Sequence, residues 1–267
     1  MEMTTTQFAN GAVLASVIEG VGVVTLNRPE ARNALSSEIL KALPKALSSL
    51  DQDPDVDVLV LTGADPAFCA GLDLKELGGS GGNIDPDASL EASGPFPSRS
   101  KPLIGAVNGV AVTGGLELAL NCDFLIASDR AAFADTHARV GVMPGWGLSV
   151  LLPQAIGVRR AREMSLTGNY VDATTAAEWG LVNRVVAHDS LLETVHSLAS
   201  DIRSNDQEGV QQMVRTYERT ASTTIAEGWE IEASMGRDWL KKTNFKPEKV
   251  AQRVADIQNR GRSQNNS

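Results

Sequence analysis

Cysteine, histidine, aromatic residues and net positive charge are all scarce in this sequence, and the shortages close off whole classes of protein. Its two cysteines, Cys69 and Cys122, are too few for the disulfide framework of a secreted domain and lack metal-ligand spacing, so no metal site is expected. Set among small and apolar neighbours, they read as reduced, buried packing residues. Lys and Arg number 24 against 33 Asp and Glu, a formal net charge of -9. That balance argues against nucleic acid or an anionic membrane as the main partner, although a local phosphate site stays open. No apolar run approaches the roughly 18 residues needed to cross a bilayer, and the N-terminus lacks a basic segment followed by an apolar one. The expected location is the cytoplasm.

What is present suits a globular chain: 42% of 267 residues are hydrophobic, enough for one large core. Val13 to Ile18 and Gly22 to Leu26 read as a β-pair turned at Glu19 to Val21. Ser36 caps a helical run to Leu50, with Pro44 expected to kink it or shift its start. Buried strands are expected over Asp57 to Leu61, Pro102 to Val107 and Asp123 to Ala127. This alternation predicts an α/β core. Gly78 to Ser100, rich in Gly, Ser, Pro and Asp, reads as a mobile excursion, either a lid or a solvated loop.

After Ala173 strand signals nearly vanish, leaving helical stretches over Asp189 to Ser204, Asp206 to Thr220, Thr223 to Leu240 and Pro247 to Asn259, with a frayed tail from Gly261. The reading is a core over 1–200 and a helical region over 201–267. Trp179, Trp229, Trp239 and Tyr217 fall in or near these helices, where large aromatics fill cores or subunit contacts.

The most informative segment runs from Lys101 to Asp123. An apolar strand leads through Asn108-Gly109 to Thr113-Gly114-Gly115-Leu116-Glu117-Leu118, which opens a short helix. Paired glycines there let a ligand reach free backbone N–H groups that favour an anionic oxygen, or they form only a tight packing turn. Glu117 would project from the same first turn, as an acid–base carboxylate or as a glutamate meeting the helix dipole. In a second segment, Pro66 to Leu74, the small residues Cys69, Ala70 and Gly71 allow close backbone approach, and the Leu72 amide could donate to the same oxygen.

These segments, with Arg28-Pro29-Glu30-Ala31-Arg32-Asn33-Ala34-Leu35, Ile104 to Gly109, Asp123, Phe133, Gly141-Val142-Met143-Pro144-Gly145, Leu166-Thr167-Gly168 and Ala176 to Val182, resemble the enoyl-CoA hydratase/isomerase (crotonase) family in order and spacing. The resemblance covers roughly residues 13 to 190. It implies a spiral of ββα units, a helical C-terminal region used in trimerisation, and a homotrimer or dimer of trimers. It implies oxyanion-hole amides at Leu72 and Gly114. Coenzyme A, part of the substrate rather than a separate cofactor, would lie along Ala31, Arg32, Ala34, Ala70, Asp73 and Leu74, with Gly115, Thr136 and Gly145 also lining the substrate site. Glu30 stands where the family often has a basic residue.

Family hydratases use two glutamates. The first matches Glu117; the second, in a register fixed by Phe133 and Gly141, falls on His137. A histidine suits proton transfer near neutral pH but is also a common structural residue. Asp135 would orient it if the segment is extended, since side chains at i and i+2 share a face, or would simply cap a turn. Arg139 either pairs with a carboxylate or lies on the surface, Trp146 closes an acyl pocket or packs, and His188 and His196 read as surface residues. The expected activity is addition of water to a 2-enoyl-CoA. The alternatives are isomerisation, thioester hydrolysis or decarboxylation through the same enolate, or a catalytically weak acyl-CoA-binding protein.

Overall fold

A computed structural model describes residues 4–80, 94–241 and 246–265. Strands β1 (Thr4–Phe8), β2 (Val13–Ile18) and β3 (Val21–Leu26) form an antiparallel meander. The β2–β3 turn is the two residues Glu19 and Gly20, both at positive φ (48° and 74°), the geometry whose twist matches a tight hairpin. Helix α1 (Ser37–Gln52) starts at Ser36, whose hydroxyl accepts the Ile39 N–H. Its Ile39, Leu43, Ala46, Leu47 and Leu50 make the buried stripe of a 3.6-residue period. The helix continues through Pro44, so proline does not shift its start.

The chain then repeats one motif three times. Strands β4 (Val58–Gly63) and β5 (Ala67–Cys69) precede α2 (Leu74–Ser80); β6 (Leu103–Val107) and β7 (Val110–Val112) precede α3 (Gly114–Leu120); β8 (Phe124–Ser128) and β9 (Ala132–Ala134) precede α4 (His137–Val140). The first strand of each pair joins one sheet and the second joins another. Helices α5 (Leu148–Ile156) and α6 (Val158–Thr167), strand β10 (Val171–Asp172), helix α7 (Ala173–Trp179), strand β11 (Arg184–Val186) and helix α8 (Leu191–Arg203) follow. The larger sheet has the order β1-β2-β3-β4-β6-β8-β11 and is parallel from β3 onward; the smaller is β10-β9-β7-β5, with β5, β7 and β9 parallel.

The main core, with Phe68, Leu116 and Phe133 wholly buried, includes residues of both sheets and of α1. Ile104 and Ile126 on the other face of the larger sheet pack with Leu191 and Val195 of α8. β4 is buried along its whole length, as a central parallel strand requires, and so reads as a continuous apolar run.

Several expectations need correction. The strands of the smaller sheet are only two or three residues long, too short to show a period, and β11 lies after Ala173, where strand signals nearly vanish. Gly78 to Ser80 complete α2, while residues 81–93 of the expected excursion lie outside the described residues. Near its end the segment is tied down: Arg99 meets Asp123 at 2.7 Å and the Ser100 N–H donates to Asp51 at 2.9 Å.

The chain divides into two compact units, Met1–Gln211 and Gln212–Ser267. α9 (Gln207–Thr220) runs across that boundary, and α10 (Ile225–Lys241) and α11 (Pro247–Asn265) belong to the second unit. α11 carries Gly261 to Asn265, so the expected frayed tail is helical up to Asn265. Among the described residues no helix is long and apolar enough to cross a membrane.

Candidate active site

Because β5, β7 and β9 run parallel side by side, their carboxyl ends fall at one edge, and the three strand-to-helix turns there hold the expected site residues. After β5 comes Gly71 at φ +86°. A Cβ there would lie 2.8 Å from the Val112 carbonyl and 3.5 Å from the Gly114 nitrogen, so this turn rests directly on the next. The Arg28 to Leu35 segment fastens it from outside: the Leu35 N–H donates to Gly71 O (2.7 Å), the Asp73 N–H to Leu35 O (3.1 Å) and the Ala70 N–H to Arg32 O (3.0 Å).

Asn33, wholly buried in a left-handed conformation, donates to the carbonyls of Ala64 and Ala67 and accepts the Arg28 N–H. Its role was missed, although an Asn within a motif that must turn is the available signal, since Asn tolerates that conformation.

After β7, Thr113 adopts φ 56°, ψ -116°, an outlier for a β-branched residue. Surroundings on both sides hold it: its N–H donates to Ala134 O and its hydroxyl pairs with that of Thr136. The twist opens α3, leaving the Gly114 N–H at the helix start. Among the described residues neither the Gly114 nor the Leu72 amide has an acceptor. Gly115 is placed differently. A Cβ on it would lie 2.1 Å from Cys69 O, so this glycine lets α3 press against β5 and faces backbone rather than open space.

One turn on, Glu117 is 3% exposed, and its Oε1 accepts the Trp146 N–H at 2.7 Å. Asn121 donates to both the Glu117 and Trp146 carbonyls, clamping that segment onto α3. Its spacing of four from Glu117 was the overlooked signal.

After β9, Asp135 (3% exposed) accepts the His137 backbone N–H at 3.1 Å and meets its Nδ1 at 2.6 Å, while His137 (5% exposed) brings Nε2 to 3.4 Å from Glu117 Oε2. The two readings of Asp135 merge, since one carboxylate oxygen both caps the turn and orients the ring. The expected extended geometry is absent, for Thr136 sits near φ -105°, ψ 15° and His137 opens α4. Burial by itself would lower the His137 pKa, but the hydrogen bonds and charges of Asp135 and Glu117 outweigh it and raise the value to about 9. Burial likewise works against the Asp135 carboxylate, yet its bonds to His137 and Ser165 hold the group below the usual carboxylate range. His137 is therefore an imidazolium at neutral pH, flanked by two carboxylates.

The other expected residues are less uniformly placed. Ala34 is buried and Ala31 and Ala70 are half-buried, whereas Arg32 and Leu74 are exposed beside the fastened turns. Asp73 is bound by Arg28 at 3.1 Å, a contact that helps outweigh burial and lower its pKa. Thr136 joins the Thr113 turn; Gly145 is exposed in the segment before Trp146. Among the described residues Arg139 meets no carboxylate, and it donates to the Thr167 carbonyl and Asn169. The Trp146 ring stands 3.6 Å from where a Gly114 Cβ would lie. His188 is no plain surface residue: its side chain is 14% exposed and bridges Ser128 and Asp65, each at 3.0 Å.

Two unclaimed amides beside a buried carboxylate and imidazolium can hold a carbonyl oxygen that gains charge while protons move on neighbouring carbons. These features define an α/β protein in which, among the described residues, two free backbone amides lie beside a buried carboxylate–histidine pair.

The enoyl-CoA hydratase/isomerase family model matches residues 17–255, and the chain belongs to that family. A probable enoyl-CoA hydratase of Mycobacterium leprae is 39% identical over 217 residues, 81% of this chain and 84% of that protein. The crystal structure of an enoyl-CoA hydratase from Mycobacterium tuberculosis superposes with a TM-score of 0.74 at 51% identity, covering 85% of this chain and 98% of that one. A monofunctional enoyl-CoA isomerase from M. smegmatis superposes at 0.69 with 37% identity over 81% and 97% of the two chains. The crotonase-like fold expected from the sequence is the one observed.

Proposed function

We propose that this chain adds water to a 2-enoyl-CoA thioester. The observation that carries the reading is the buried 3.4 Å contact between Glu117 and His137, which sets a base and a protonated acid side by side. Glu117 takes a proton from water as the oxygen bonds to C3. The C2=C3 electron pair shifts toward the thioester oxygen, which accepts hydrogen bonds from the Leu72 and Gly114 amides. The enolate then takes a proton at C2 from His137 Nε2 and the carbonyl re-forms. Glu117 now carries a proton and His137 has lost one, and their contact lets the proton pass back.

CoA would lie along Ala31, Arg32, Ala34, Ala70 and Leu74, and the reaction calls for no cofactor beyond it. The free cysteines Cys69 and Cys122 suit a reducing, cytoplasmic setting. A homotrimer or dimer of trimers would cover Tyr217, Ile225 and Trp229, of which Trp229 is 72% exposed; multi-angle light scattering at micromolar concentration should give a trimer or hexamer, and a monomer counts against it.

The substitution of His137 for a second glutamate, together with the isomerase among the similar structures, favours one alternative, in which the same pair moves a proton between C2 and C4. Loss of conjugated-thioester absorbance from crotonyl-CoA is expected. Gain of that absorbance from a 3-enoyl-CoA, without hydration, assigns the isomerase instead, and silence with both substrates removes either reading.

A further inference from the structure

We propose that Asp135 is a positioning residue for this reaction, holding the His137 ring so that Nδ1–H rests on the Asp135 carboxylate and Nε2–H is directed at Glu117 and the reacting carbon. The inference rests on the hydration reading above and adds a third group to it. A single oxygen, Asp135 Oδ1, binds both the backbone N–H and Nδ1 of His137, at 3.1 and 2.6 Å, which fixes the ring relative to the turn that carries it. The carboxylate is buried and is itself held by the Ser165 hydroxyl of α6. Such a carboxylate cannot be satisfied by water, so it binds the imidazole in one protonation pattern.

Among the described residues the charged groups in contact with His137 are Glu117 from α3 and Asp135 from the end of β9. Arg139, on the histidine's own helix, is directed at Thr167 and Asn169. With Asp135 in place His137 titrates at about 9 and is charged through the physiological range. Without that charge the burial effect gains ground and the ring becomes neutral near pH 7, leaving no acid for C2.

Asp135→Asn keeps an oxygen for the His137 N–H and removes the charge. In the full-length protein, NMR of the imidazole C2–H, assigned by its loss in His137→Gln, should show the His137 titration falling from about 9 to the ordinary range near 6.5. At pH 8 kcat should fall roughly 30-fold, as the protonated fraction drops, with KM changed less than about twofold, and much of the loss should return at pH 6 as the ring is recharged. An unmoved titration overturns the proposal, as does an equal loss of kcat at both pH values, which is the mark of mere packing. Should the Asn variant not fold, Asp135→Ser retains a turn cap without charge and is read the same way. The titration needs no substrate, so it decides the role of Asp135 even if the parent protein hydrates nothing.

Discussion

Two histidines in the first unit each bridge an aspartate and a second polar partner, and they differ in how far water reaches the carboxylates beside them. His137 lies between Asp135 and Glu117, with all three side chains 4–6% exposed. His188 lies between the Ser128 hydroxyl and Asp65, whose carboxylate is 62% exposed. Water screens the Asp65 charge, whereas the carboxylates beside His137 act through protein of low polarity. The Ser128 hydroxyl is also bound elsewhere, accepting the Arg130 N–H and donating to Asp129. The second cluster ties the loop after β4 to the one after β11; the first ties the turn after β9 to α3.

The comparison is broken most sharply at Glu117. Glu117→Gln should reduce kcat and kcat/KM together by about 10³-fold while acyl-CoA binding by calorimetry is unchanged, because the lost proton transfer belongs to the transition state. His137→Ala should cost about 10²-fold, and His137→Glu should preserve or raise hydration. In the parent protein kcat/KM should decline above a pH of about 9 through loss of the imidazolium, and His137→Glu should abolish that alkaline limb. A fully active His137→Ala would make the two clusters equivalent and leave Glu117 to work with water alone.

Stability sharpens the same contrast. The folded-state pKa of His137 is raised, so its contribution is fully present below about 6.5, the unfolded value, and is lost as pH rises through about 9. Thermal unfolding of the parent should weaken by up to a few kcal/mol across that window, and His137→Gln should lack the slope. The smallest effect belongs to the other cluster. His188→Ala should lower stability by about 1 kcal/mol, roughly 2–4 °C in Tm, and leave kcat within about twofold. A loss of activity as large as that of His137→Ala would show that the two clusters are coupled.

Strands β2 and β3, α1 and the apolar strands β4, β6 and β8 of the larger sheet were legible because each shows an apolar run, a hydrophobic period or a capping residue, whereas β1 and β11 gave no such signal. Ser36 marked the start of α1, and the apolar Val58 to Leu61 run marked β4. The smaller sheet was not legible in the same way, because Ala67–Cys69, Val110–Val112 and Ala132–Ala134 are too short for any periodic signal and become strands only by pairing with one another. The site straddles this boundary. Gly71, Gly114 and Glu117 could be singled out from local turn and helix signals, and His137 from its register between Phe133 and Gly141. The sequence by itself determined which residue types stand after each strand. Only the tertiary structure decided that those turns stack at one sheet edge, that Gly115 meets backbone, that Arg139 caps a helix end, and that His137 holds its proton. Each of those outcomes depends on distances and burial between residues far apart in the chain, to which local composition and spacing are blind.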